Sequence, residues 1–320
     1  MEQPLDKLAG LVARWGIGPS LERLSGVAWG HYSPQGQKSE WFLDHHQQDF
    51  LYLARAILLN GREHQGTEPT PAELSHVIDY VFDHSEPVGW HSSDGDEGVP
   101  YDVESVLNRV YASQNRSKSD HGRAFTRVIK LFKELPERDE IRAKLKLNWA
   151  EEIRAKLGLN VEGLIAMWCG FRAHGGVFTR GNLSKYFANS PYLESDIDNF
   201  LSRFSLSIGE HRHLAAARRS HSRELDFYSL NPLFEYPLVR LGPGRYVAPS
   251  KSALDYALSM GIFWKIRNSY LPDGAGGQTS ADDDLGYLVE AYVRDILSHY
   301  LPTSEYIPEL QYCNGAWADA

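Results

Sequence analysis

Cysteine is nearly missing from this sequence: Cys169 and Cys313 are the only two in 320 residues. Two thiols build neither a disulfide framework nor a Cys-rich zinc site, so a reducing cytoplasmic setting is expected. Long apolar runs are missing as well. The longest, residues 164–171, is interrupted by Gly170 and falls far short of the roughly 20 residues a spanning helix requires, so no membrane partner is expected. The opening MEQPLD has neither a basic start nor an apolar core, which argues against an export signal. No Gly-Lys-Ser/Thr phosphate loop, Gly-x-Ser-x-Gly elbow, paired-glycine fingerprint or HExxH appears, so nucleotide hydrolysis, serine hydrolysis and zinc proteolysis are demoted. What is present is apolar surface. Hydrophobic residues make up 42% and aromatics 12%, with eight Trp and seventeen Tyr, enough burial to offset chain ordering and to exclude disorder as the main state. The length predicts about two domains.

The net charge of −9 is unevenly spread. Residues 1–115 carry 7 basic and 17 acidic side chains, whereas residues 116–160 carry 12 and 7. Residues 203–223 hold five basic side chains against one acid. A protein that coats nucleic acid would be basic throughout; one that grips phosphate with a central stripe fits this pattern. Arg212, Arg218, Arg219 and Arg223 are the candidate nucleic-acid contacts, with DNA or RNA as the partner. The competing reading is a solvated helix face.

Helical periodicity dominates the chain and predicts a mainly α fold. Leu5, Leu8, Leu11, Val12 and Trp15 recur at helical spacing, with Gly16 and Gly18 as the stop. Residues 49–59 present Phe50, Leu53, Ala54, Ile57 and Leu58 on one face. Thr70, Pro71 and Glu73 spell a capping box before the stripe Leu74, Val77, Ile78, Val81 and Phe82. Residues 85–100 read as a loop, and 103–111 and 124–135 as further helices. The segment EIRAKLKLN at 140–148 returns as EIRAKLGLN at 152–160. Two copies do not make a solenoid; they read as a local duplication acting as a spacer. From there the predicted elements are a helix at 161–173 closed by Gly175-Gly176, a short helix at 182–187, and a helix at 196–204 capped by Ser195. Strand-like runs at 238–241 and 245–247, joined by Gly242-Pro243-Gly244, then predict a hairpin. Three helices and a hairpin is the order of a winged helix-turn-helix. A helix at 250–270 and a Gly-rich linker at 272–277 follow. The expected domains are a helical domain at 1–160, a winged-helix-like domain with its hairpin at 161–270, and a linker plus the start of an α/β segment at 271–320.

The last forty residues read helix, strand, turn, strand. Asp282, Asp283 and Asp284 open the helix, where negative charge suits the dipole. Its apolar stripe is wide: Leu285, Leu288, Val289, Tyr292, Val293, Ile296 and Leu297, with Glu290 one position past it. Residues 306–312 and 316–320 flank the hairpin signal Asn314-Gly315. This order, with Gly286-x-x-x-Glu290 on the helix and Asp319 on the second strand, resembles the opening of a PD-(D/E)XK nuclease domain. The runs NPLFEYPLV from Asn231 and GRYVAP to Pro249 also resemble the segment that precedes this domain in large uncharacterised bacterial proteins. The resemblance implies Glu290 and Asp319 as catalytic carboxylates and ligands of Mg²⁺ or Mn²⁺, and a setting such as bacterial defence against foreign nucleic acid. The family's Glu-x-Lys, on the strand after the aspartate, does not occur here. The expectation is therefore that a complete protein binds the cation, and that these 320 residues alone do not hydrolyse a substrate.

The sequence offers two other candidate ligand sets. His45, His46 and Asp49, or His211 and His213 placed on a strand, could offer metal ligands; capping and surface histidines are the competing explanation. The acidic loop Asp94-Gly-Asp-Glu97 lacks the length and terminal Glu of a calcium loop. The functional expectation is a nucleic-acid-directed platform for a nuclease-type domain. The alternative is a non-enzymatic helical module that binds protein partners.

Overall fold

A computed structural model describes residues 4–30, 47–85, 121–217, 231–270 and 279–300, and these are mainly helical with one small mixed sheet. The amino-terminal part packs α1 (Pro4–Val12), α2 (Ile17–Ala28), α3 (Gln47–Asn60) and α4 (Pro71–Ser85) around Leu8, Leu21, Leu24, Phe50, Leu53, Ile57, Leu74 and Ile78. Gly18 does not end a helix as expected. It lies in the first turn of α2, a helix not anticipated from the sequence, because the chain breaks only at residues 13–16. There Trp15 and Gly16 bond across to Arg62 and Thr67, and those tertiary partners replace the lost helical ones. The capping box at α4 forms as the sequence predicts: the Glu73 N–H donates to Thr70 Oγ1 at 3.2 Å and the Thr70 N–H to Glu73 Oε2 at 2.8 Å.

The duplicated segment is part of this packed body. α5 (His121–Ile129) runs through a π-helical turn at Lys130–Glu134 into α6 (Leu135–Glu137), then α7 (Asp139–Arg142) and α8 (Trp149–Leu157). Both repeat copies end in an asparagine that starts the next helix. Asn148 accepts from the Glu151 N–H at 3.5 Å, and Asn160 accepts from the Gly163 N–H at 2.9 Å, each satisfying a first-turn amide. Phe132 and Trp149 meet with ring centres 5.3 Å apart.

From α9 (Val161–Ala173) the chain adds β1 (Val177–Thr179), α10 (Arg180–Tyr186), α11 (Glu194–Phe204), β2 (Ser205–Ser207) and α12 (Ile208–Ala217). The cap of α11 differs from the expected Ser195: Asp196 reaches back to the Leu193 N–H at 2.8 Å, so the helix starts at Glu194. A 3₁₀ turn at Pro232–Phe234 leads to β3 (Leu238–Gly242) and β4 (Arg245–Val247). The expected hairpin is the centre of a four-stranded sheet of order β1-β4-β3-β2. β1 pairs antiparallel to β4 and β2 parallel to β3; these two outer strands, only three residues each, carry too little periodicity to be seen in advance. Aromatic packing joins sheet to helices, with Phe171 4.6 Å from Phe178 and 5.0 Å from Phe200, and Phe200 stacked on Phe204 at 4.6 Å.

The expected helix at 250–270 is two helices, α13 (Lys251–Ala257) and α14 (Met260–Asn268), broken at Ser259 where φ is −121° and ψ −103°. α15 (Ser280–Tyr300) closes the described chain and packs on α14, α6 and the π-helical turn. The loop at 86–100, the helix at 103–111, the Gly-rich linker at 272–277 and the strands at 306–320 lie outside the described residues. No helix among the described residues is long and apolar enough to cross a membrane.

Candidate functional site

The inner face of α15 is held by carboxylates. Thr279 and Asp282 form its capping box, and Asp282 also accepts from Arg267 Nε at 2.6 Å. Burial alone would raise the Asp282 pKa, but the Thr279 and Arg267 donors outweigh it and the net shift is downward. Asp284 is buried and accepts three bonds, from the Lys146 N–H at 2.8 Å, the Leu147 N–H at 2.9 Å and Trp149 Nε1 at 3.2 Å. Asp283 pairs with Lys146, and Asp295 takes a two-pronged bond from Arg138 at 3.0 and 2.6 Å. The acidic opening of α15 therefore reaches well beyond the dipole role expected of it: it clamps the helix to the end of the first repeat copy. Sequence reasoning missed this because the partners lie about 140 residues away.

Glu290 sits on the other side. It is half-exposed, ion-paired with Arg294 one turn on, and one turn after Gly286. Asp319 lies outside the described residues. Among the described residues no group of three or more His, Cys, Asp or Glu side chains is placed to hold a metal ion. Glu290 alone offers one carboxylate, and its neighbour Arg294 competes for it. A divalent cation needs several oxygen ligands, so no catalytic step is assigned to these residues.

The basic segment is only partly described. Arg203 donates to the Lys156 carbonyl at 2.5 Å; Arg212 is half-buried, donates to the Leu59 carbonyl at 3.3 Å and lies 3.9 Å from Glu63. Arg218, Arg219 and Arg223 lie outside the described residues. His211 and His213 are on the helix α12 and not on a strand, because Ser207 and Glu210 form a capping box that starts a helix there. Two positions apart on a helix, they point apart: His213 is exposed and His211 is buried, its Nε2 3.2 Å from the Leu238 carbonyl. Burial pushes the His211 pKa down to about 4, so at neutral pH it is an uncharged core side chain donating from Nε2. His45 and His46 lie outside the described residues, and Asp49 is buried.

The arginines of α10 and the hairpin are paired with carboxylates of α11, α12 and α2. Arg180 bonds Asp198 at 2.6 and 2.8 Å and Glu194 at 2.8 Å. The Arg180 guanidinium holds the Asp198 carboxyl below its ordinary range. Arg240 lies 3.4 Å from Glu210, and Arg245 bonds Glu22 of α2 at 2.7 Å. The outward face of α11 carries Glu194, Ser195, Asp198, Asn199, Ser202 and Arg203, a mixed polar surface with more acid than base.

A cavity of about 530 Å³ lies over the repeat boundary, lined by Phe132, Leu145, Leu147, Trp149 and Val161, with Lys133 and Glu162 paired at its rim. No protein-family model, curated protein or solved structure matches this chain.

Proposed function

We propose that this chain is the nucleic-acid-directed platform of a PD-(D/E)XK-type nuclease, with residues 161–270 as a winged-helix-like unit and α15 as the first helix of the nuclease-type segment. The observation that carries the reading is the setting of Glu290. The carboxylates of α15 anchor its inner side to the body and leave Gly286 and Glu290 outward, where strands following in the chain could meet them. The middle region adds support. Its helix–strand–helix–helix–hairpin order, with the first strand paired to the last, suits a winged helix, although β2 and α12 stand between its helices and its hairpin.

Arg180, Arg240 and Arg245 are paired with carboxylates, which leaves Arg218, Arg219 and Arg223 as the proposed phosphate contacts. The test is fluorescence anisotropy with labelled duplex DNA and single-stranded RNA across a salt series. Binding should weaken steeply with salt through counterion release. The double change Arg218→Glu and Arg219→Glu should abolish it. Binding that survives this change at low salt would overturn the central-stripe idea. Mg²⁺ or Mn²⁺ should give no cleavage with residues 1–320 alone; robust metal-dependent cleavage would show the site to be elsewhere.

The second reading, a non-enzymatic module that binds protein partners, is favoured by the pairing of Arg180, Arg240 and Arg245. These would otherwise give a winged helix its phosphate-facing charge. No shift with any nucleic acid at low salt would favour it.

A further inference from the structure

The cavity of about 530 Å³ at the repeat boundary combines an apolar floor with a basic lining. Phe132, Leu145, Leu147, Trp149, Ile153 and Val161 make the floor. Lys133, Arg142 and Lys146 also line it, against two acids, Glu137 and Glu162. Residues 148–150 open α8 and residues 160–162 open α9, and both sets face the same space. Each asparagine cap takes one first-turn amide, from Glu151 and from Gly163. The N–H groups of Trp149, Ala150 and Val161 have no acceptor inside their own helices. Two helix starts therefore add positive partial charge to the three cations. The repeat copies differ at one position, Lys146 against Gly158. Gly158 has φ +80° and ends α8, where a Cβ would stand 2.9 Å from that of Asn199. In the first copy the lysine lines the cavity.

A space of this size is no ordinary packing gap, since protein cores hold few voids larger than a water molecule. It falls within the roughly 300–1,000 Å³ of small-molecule sites, which pair an apolar lining with a few placed polar groups. The sign of the ligand follows from the lining: three cations and two helix starts outweigh two acids. The pairs that hold those cations are partly or largely exposed: Lys133 with Glu162, Arg142 with Asp139 and Lys146 with Asp283. Exposed pairs contribute little, so a ligand anion can take the place of the carboxylates. The π-helical turn sets Phe132 on the floor and Lys133 beside it, and departures from α-helical winding recur at functional sites. We propose that this cavity binds a small organic anion. Its apolar or aromatic body lies against Phe132, Leu145 and Val161, and its carboxylate, sulfonate or phosphate faces Lys133, Arg142 and the two helix starts. The inference does not rest on the nuclease reading, whose proposed metal and phosphate contacts all lie outside this cavity.

The test uses the full 320-residue chain and two fluorescent dyes, anilinonaphthalene sulfonate and its uncharged counterpart phenylnaphthylamine. The sulfonate should saturate a single site per chain and bind at least about fivefold tighter than the uncharged dye. Ala150 is exposed and lines the cavity. Ala150→Phe should fill the space and weaken both dyes at least about tenfold. Ala150→Glu places an acid in the first turn of α8, where it suits the helix dipole and the fold is kept; it should weaken the sulfonate alone. Lys133→Gln combined with Arg142→Gln should weaken the sulfonate about fivefold and leave the uncharged dye unchanged. Val289→Ser, on the exposed side of α15, should change neither. Equal affinity for the two dyes overturns the proposal, as does sulfonate binding that survives both Ala150 changes. A loss of binding in Val289→Ser also overturns it, because the dye would then sit on α15. Nucleic-acid binding and cleavage play no part in this readout.

Discussion

α11 and α15 are both amphipathic helices at the margin of the described structure, and they end differently. α11 buries Ile197, Phe200, Leu201 and Phe204 on its inner side and turns only polar side chains outward, with Glu194 and Asp198 tied to Arg180. α15 buries Ala281, Leu288 and Ala291, ties its acids inward, and leaves aliphatic side chains outside. A stripe of about 100° fits against one neighbour, and a wider one exceeds it. The apolar side of α11 is fully covered by the body, whereas that of α15 is covered only in part.

That contrast can be broken at several points. The largest effect is expected on α11, where Phe204→Ala removes a fully buried ring stacked on Phe200 and should cost about 4 kcal/mol by denaturant unfolding. A loss under about 1 kcal/mol would mean that this core collapses freely around the gap. On α15, Asp284→Ala leaves the Lys146 and Leu147 N–H groups and Trp149 Nε1 without their buried acceptor. It should cost roughly 3 kcal/mol, and hydrogen exchange should show α15 losing protection first.

His211 sharpens the comparison through pH. Its folded-state pKa lies at about 4 against an unfolded value of 6.5. The unfolded chain therefore takes up the proton first as pH falls. His211 contributes its full stability above pH 6.5, and that contribution declines between about 6.5 and 4, by roughly 3 kcal/mol in all. His211→Gln, which keeps an N–H toward Leu238, should flatten the slope of unfolding free energy over this window while leaving α15 unaffected. Asn160→Ala removes the cap of α9 and should cost about 1 kcal/mol. The smallest effect belongs to the exposed aliphatic side chains of α15. Val289→Ser should change the unfolding free energy of the helical body by no more than about 0.5 kcal/mol, whereas Leu288→Ala, one residue earlier and buried, should cost about 3 kcal/mol.

Local chemistry was legible in the sequence wherever a few neighbouring residues suffice. The Thr70–Glu73 box, the stripe of α4, the α9 helix and the Gly242-Pro243-Gly244 hairpin all follow from spacing and side-chain type, because their partners lie within a turn or two. The same information misplaced the α11 cap and fused α13 with α14, and it missed α2, where the decisive bonds come from Arg62 and Thr67. For the candidate site, the sequence by itself determined that Glu290 lies one turn after Gly286 and just beyond the apolar stripe. Only the tertiary structure decided which part of that stripe is covered and that Asp282, Asp283, Asp284 and Asp295 are fasteners. It also decided that Arg180, Arg212, Arg240 and Arg245 are engaged with the protein itself. The reason is physical: a helix fixes which residues share a face, but whether that face meets protein, solvent or an opposite charge depends on chain segments far away in sequence, brought close only when the whole molecule packs.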